Sequence, residues 1–252
     1  MKKPRYGNHF MFFLTLLLPT GCTDQIGESE SWNLGRLTEP IIAGATPVRG
    51  SLADMGVVRI STRCTGTLLS NRHVLTARHC VRNWNRHGVT WGASFAPVTV
   101  TLEGDTAADD QAVASSDIFE PNTTSLNSGD YAVIELSAPM EINDATDEFF
   151  NPIYNGGDAS LVSATVFCAG YGNDTEADQV AGTLGSGFGT LRTANLTVGA
   201  ASLGTLTINR TAGQIGAPGD SGSTCFFGGQ VTGVQSTCSG PWWDQNGDGD
   251  LQ

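Results

Sequence analysis

From residue 41 onward, short apolar or alternating runs recur between turn signals: GVVRIST at 56–62, PVTVTLEG at 97–104, YAVIELS at 131–137, SATVFCAGYG at 163–172, LRTANLTV at 191–198, TLTINRT at 205–211 and QVTGVQS at 230–236. Side chains that alternate between core and solvent with period two predict β-strands. No long stretch keeps an apolar period near 3.6 residues, so the pattern predicts an all-β chain, a sandwich or a pair of barrels, and not an α/β sheet. The segment EINDATDEFFNPIYNGGDAS at 141–160 is polar, acidic and marked by Gly and Pro, and it reads as a linker between two halves. Residues 23–40 lack strand pattern and read as a tether or pro-segment.

Composition sharpens this picture in two respects. Thirty-two glycines among 252 residues predict many tight turns, as an all-β chain needs. Thirteen Lys and Arg against 25 Asp and Glu give a formal charge of -12, which repels phosphate backbones and excludes nucleic acid as a partner.

Residues 1–22 read as a signal peptide. Lys2, Lys3 and Arg5 precede an apolar run from Phe10 to Leu18 that is too short to span a bilayer. The run ends in Pro19-Thr20-Gly21-Cys22, which is similar to a bacterial lipobox except that Pro19 stands where an aliphatic residue is usual. Two readings stay open: a lipid on Cys22 that anchors the chain in a bacterial envelope, or simple cleavage near Gly21 and secretion. Either way the chain is exported, so Cys64, Cys80, Cys168, Cys225 and Cys238 can form disulfides, with the connectivity open and one of the five left over.

Three stretches carry candidate chemistry. In APGDSGSTC at 217–225, Ser221 stands between glycines, where a strained turn can present a hydroxyl and the N–H groups of Gly219 and Ser221 can converge on one oxygen. By itself Gly-Asp-Ser-Gly is more often only a turn. In CTGTLLSNRHVLTARHC at 64–80, two cysteines bracket a strand-like run and His79 lies beside the second; a bridge there would fix the loop that bears His79. His9, His73 and His87 have no comparable frame and read as signal-peptide or surface residues. In SGDYAVIELSAPM at 128–140, Asp130 opens an apolar strand, and if buried it must find a donor such as an imidazole N–H; the plainer reading is a solvated turn aspartate.

His79, Asp130 and Ser221 occur in the order base, orienting acid, nucleophile, each in its own local frame. With Ile41-Ile42-Ala43-Gly44, Leu75-Thr76-Ala77-Arg78-His79-Cys80, Asp130-Tyr131-Ala132-Val133 and Gly170-Tyr171-Gly172, the chain resembles the trypsin/chymotrypsin family of serine endopeptidases from 41 to about 240. The resemblance implies two antiparallel β-barrels of the chymotrypsin type, the first at about 41–145 and the second at about 155–252, within a peptidase domain at 41–252. It implies a monomer that hydrolyses protein or peptide substrates through a His-Asp-Ser triad and needs no cofactor. It also implies disulfides Cys64–Cys80 and Cys168–Cys225, oxyanion donors on Gly219 and Ser221, and Ser236 as a residue that lines substrate and supports the aspartate. Ile41 would be the mature N-terminus, its amine paired with Asp220 after a pro-segment is cut away.

Departures from the family matter equally. Ile215, six places before Ser221, stands where trypsin-like members are acidic, so a small or apolar side chain is expected at the cleavage site and a basic one is not. The stretch after Ser236 is shorter than the family's last strand and C-terminal helix, so the second barrel is expected to be incomplete. Asp244, Asn246, Asp248 and Asp250 with Gly249 match the first half of an EF-hand loop and are candidate calcium ligands, although an acidic solvated tail is the plainer reading of those residues. The expected function is serine endopeptidase; the alternatives are a non-catalytic binding protein that keeps the fold, or a calcium-binding envelope protein.

Overall fold

The computed structural model describes residues 44–85, 90–121, 129–142, 151–173, 187–202, 204–209, 211 and 214–236. Cys22, the segment 23–40, Ile41, Cys238 and the acidic tail from Asp244 to Asp250 lie outside the described residues.

The first half is a closed antiparallel barrel. Its strands are β1 (Val57–Ile60), β2 (Cys64–Leu68), β3 (His73–Thr76), β6 (Thr99–Leu102), β7 (Gln111–Phe119) and β8 (Ala132–Leu136), joined in the order β1-β2-β3-β8-β7-β6. A ribbon of β4 (Arg82–Asn85) and β5 (Thr90–Ser94) stands beside it. The second half is a five-stranded sheet of β9 (Thr165–Gly170), β10 (Arg192–Ser202), β11 (Thr205–Asn209), β12 (Thr224–Phe227) and β13 (Gln230–Val234), in the order β11-β10-β9-β12-β13. Among the described residues this second unit is a half-barrel of five strands, and the helical turns are all 3-10.

Alternation accounts for the barrel core. In β8, Ala132, Ile134 and Leu136 point inward and are buried, while Val133 and Glu135 are half-buried. Burying a Val, Leu or Ile side chain contributes roughly 1.5–3 kcal/mol, and Val58, Ile60, Leu68, Val74, Leu75 and Ile134 all lie in this core at 0–1% exposure. Strand β2 departs from the pattern, because all five of its residues are buried. One face of β2 fills the barrel and the other is covered by the second half.

The core runs on across the junction. Ala169, Tyr171, Leu191, Phe226, Val231 and Val234 of the second half belong to the same apolar cluster as the barrel interior. The described end of the segment read as a linker is packed: Asn151 is buried and its Nδ2 donates to the carbonyls of Met55 and Leu68 at 2.8 and 2.7 Å, while the Tyr154 N–H donates to Val231. That segment is thus not a loose hinge over 151–154. A polar Asn serves there because two carbonyls of the first half need donors, Met55 at the end of a 3-10 turn and Leu68 at the end of β2.

Two disulfides add to the packing. Cys64 and Cys80 join β2 to the turn after β3, and Cys168 and Cys225 are directly opposed partners on β9 and β12. Both pairings agree with the family resemblance.

Candidate active site

His79 sits at the centre of a single 3-10 turn, Arg78–Cys80, immediately after β3. The turn is pinned at its end by the Cys64–Cys80 bridge. Asp130 lies just before β8, the neighbour of β3, and is fully buried. Its Oδ2 stands 2.8 Å from His79 Nδ1, and its Oδ1 accepts the His79 backbone N–H at 3.0 Å. Ser236, at the end of β13, donates its hydroxyl to Asp130 Oδ2. Burial alone would raise the Asp130 carboxyl, but the charge and the hydrogen bonds of His79, together with the Ser236 hydroxyl, hold it below the usual range. Asp130 is therefore a buried carboxylate aimed at an imidazole whose ring remains about a quarter exposed. With Nδ1–H donated to the aspartate, Nε2 is the nitrogen free to accept a proton.

The glycine-flanked serine is brought to the same place by main-chain bonds. Thr65, on the fully buried strand β2, is the hub: its N–H donates to the Ser221 carbonyl at 2.8 Å, its hydroxyl donates to the Gly219 carbonyl at 2.9 Å, and that hydroxyl accepts the Tyr171 N–H at 3.0 Å. Gly222, at φ +81°, packs so closely on Thr65 and Thr76 that a Cβ would lie 2.1 Å from Thr76 Oγ1. Cys80 Sγ lies 3.5 Å from the Ser221 carbonyl oxygen, so the bridge that pins His79 also touches the serine's backbone. Among the described residues, Ser221 Oγ makes no hydrogen bond to the imidazole.

The loop before Ser221 is shaped by Asp220. Its buried carboxylate accepts the Gly172 N–H on Oδ1 and the Ala217 N–H on Oδ2, each at 2.8 Å, and its own N–H donates to the Ala217 carbonyl. Burial pushes its carboxyl up to about 6, with the two N–H groups and Arg192 pulling the other way. Gly219 adopts φ +97°, a conformation that L side chains avoid. Among the described residues the N–H groups of Gly219 and Ser221 have no acceptor, so both remain available to a ligand oxygen.

Ile215 is buried, and Gly216 beside it is covered by the Gln235 carboxamide, which a Cβ on Gly216 would meet at 2.4 Å. The Ser223 hydroxyl lies 3.2 Å from Gln235 Oε1. His73 is bonded through Nδ1 to Ser70 in the turn before β3 and has a structural role there. Sequence reasoning missed Thr65, Gln235 and Arg192. Thr65 did carry a signal, a β-branched polar residue next to a bridged cysteine, but its partners Tyr171 and Gly219 are 106 and 154 positions away, Ser221 farther still, and only the fold reveals them.

Loss of the first bridge should be costly here. For Cys64→Ala/Cys80→Ala the closed loop is short, and about 3 kcal/mol of stability is expected to go. Denaturant unfolding measures it, and turnover should fall further than unfolding alone explains, since the turn bearing His79 loses its anchor.

Comparison with known proteins agrees with this geometry. The chain matches the family described as Trypsin over residues 41–246. Among solved structures, the crystal structure of a scabies mite inactivated protease paralogue, S-D1, is similar, with a TM-score of 0.58 at 18% sequence identity, covering 78% of this chain and 85% of that one. That likeness is one of fold, the two-barrel architecture of chymotrypsin-type proteins. No curated protein sequence matches the chain.

Proposed function

This chain belongs to the trypsin family, and from that premise we propose that it is an active serine endopeptidase in which Ser221 is the nucleophile. The observation that carries the reading is the buried Asp130 carboxylate, held by Ser236 and bonded through both oxygens to His79, beside a serine turn fixed by Thr65. A scaffold with no chemistry to perform gains little from burying a carboxylate to orient an imidazole that still reaches solvent.

The steps follow from the atoms. With substrate bound, Ser221 Oγ attacks the scissile carbonyl and His79 Nε2 takes its proton; the hydrogen bond between them forms on closure of the complex, as is common for sites without ligand. Asp130 keeps Nδ1 protonated and stabilises the imidazolium. The oxygen of the tetrahedral intermediate accepts from the N–H groups of Gly219 and Ser221, which the Asp220 contacts hold in place. His79 then protonates the leaving amine, and water, activated by the same imidazole, hydrolyses the acyl-enzyme.

Specificity is the finer part of the reading. An apolar Ile215 gives no counter-charge for Lys or Arg, so among peptide anilides those with a small or apolar residue before the scissile bond should be cleaved at least about tenfold better than basic ones. A preference for Lys or Arg would contradict it. The two disulfides fit an oxidising compartment, and we place the enzyme outside the cytoplasm.

A fluorophosphonate probe tests the reaction itself. It should label the exported protein at Ser221 once the chain has been cut before Ile41, and labelling should vanish in His79→Ala of the same cut form. A folded, cut protein that stays unlabelled would leave a binding protein with this fold as the better account.

A further inference from the structure

The turn that carries His79 is gripped by two carboxylates, and the proposed chemistry uses only Asp130. Arg78 and Arg82 stand on either side of His79-Cys80-Val81. Arg78 Nε donates to Glu120 Oε2 at 2.8 Å, and Arg82 Nε donates to Glu120 Oε1 at 2.9 Å. The side chains of Arg78 and Glu120 are only 8% and 11% exposed, and that of Arg82 is 33% exposed. Such burial separates this cluster from the surface ion pairs that contribute little.

The chain path gives the cluster its meaning. Glu120 follows β7 directly, and Asp130 comes just before β8. One connection between two neighbouring strands thus begins with a carboxylate on Arg78 and ends with a carboxylate on His79, closing on successive residues of the same three-residue turn. A buried guanidinium next to the histidine carries a desolvation cost unless a carboxylate meets it, and the planar guanidinium holds a carboxylate in a more defined geometry than an ammonium does.

We propose that Glu120 is a positioning residue for His79: by holding Arg78 and Arg82 it fixes the turn that the disulfide also anchors, so that the imidazole meets Asp130 and Ser221. This rests on the peptidase reading above. Glu120 touches no substrate and acts only through the two arginines.

The test is Glu120→Gln in the exported chain after cleavage before Ile41, read by steady-state kinetics on a peptide anilide and by proton NMR in water of the low-field His79 Nδ1 proton, identified by its loss in His79→Ala. We expect kcat to fall about 10- to 100-fold, the range in which small misplacements of reacting groups act, with KM changed by no more than about twofold. The Nδ1 resonance should broaden or disappear in a protein whose spectrum is otherwise folded. Glu120→Asp should recover part of both signals. Should Glu120→Gln fail to fold, the double variant Arg78→Gln/Glu120→Gln removes the charged pair together and should show the same losses.

A folded variant with wild-type kcat and an unchanged Nδ1 resonance overturns the proposal, even if its melting temperature is lower. The two readings fail separately. If the wild-type protein is inert to fluorophosphonate the peptidase reading fails, yet the Nδ1 resonance still decides the clamp: lost in Glu120→Gln it supports the clamp, and retained it refutes it.

Discussion

Ser221→Ala and His79→Ala are each expected to lower kcat by on the order of 10⁴ to 10⁶, and the double variant should be little worse than either single one. Non-additivity is the informative part. Without the serine there is no acyl-enzyme, so the base has no proton to take, and without the base the serine stays a poor nucleophile; the second substitution removes a part that has already stopped working. Residual turnover would come from the Gly219 and Ser221 N–H groups, which both substitutions leave in place. Progress curves on one peptide anilide for the wild type, the two single variants and the double variant measure this directly. If the losses multiplied, or if either single variant kept wild-type turnover, the three residues would not form a catalytic unit. Asp130→Asn belongs to the same series. It keeps the shape at that position but removes the acceptor that fixes the imidazole tautomer, and because Asp130 holds His79 through both oxygens, a loss nearly as large is expected.

The sequence makes the local parts of this site legible, and its long-range parts stay hidden. Strands β6, β8, β10 and β11 can be read from alternation because one face of each is buried, and β1, β9 and β13 from short apolar runs because they are buried on both faces over part of their length. Strand β7 does not announce itself: in QAVASSDIF no residue is fully buried, since even the side chains packed on the barrel core, such as Val113 and Ile118, are only half-buried, and small Ala and Ser occupy much of the strand. Strand β12 is hidden for a different reason, directly following the Ser221 turn, where glycine and serine dominate the pattern. His79, Asp130 and Ser221 are marked by their local frames, whereas what brings them together is not. Thr65 reaches Ser221, Gly219 and Tyr171 only after β2 is sandwiched between the two halves. Glu120 looks like an ordinary acidic residue at a strand end until the closed barrel sets it against Arg78 and Arg82. Partners far apart in the chain leave no periodic trace, and neither side chain needs an unusual residue type.

The chain is expected to be nearly inactive until it is cut before Ile41, and the strongest reason lies in Asp220. In the structure its carboxylate is buried with two backbone N–H donors, and its carboxyl is pushed up to about 6 from 3.8. The folded form therefore binds the proton more tightly than the unfolded chain does. Stability from this group is fully present below about pH 4, declines as pH rises through about 6, and is flat above, a cost on the order of 3 kcal/mol at neutral pH. A cation delivered to that cavity would remove the cost, and we propose the free amine of Ile41 as that cation. The described chain begins close enough for this. Ala45 pairs with Thr193 through two backbone bonds of 2.9 Å, β10 pairs Arg192 with Gly170, and a Cβ on Gly170 would meet Asp220 Oδ1 at 2.2 Å. From Ala45 across Thr193 to β9 is roughly two strand spacings, about 10 Å, and four residues span at most about 13 Å when extended. The pair would steady Gly172, Ala217 and with them the Gly219 and Ser221 N–H groups, so cleavage and assembly of the oxyanion site would be one event. An engineered cleavage site in place of residues 36–40 supplies the measurement: turnover should rise at least about a hundredfold on cutting, the pro-form alone should lose stability between pH 4 and 6, and Asp220→Asn should abolish both differences. Full activity in a form that still carries residues 23–40 would leave the Asp220 cavity without its proposed cation and defeat the scheme.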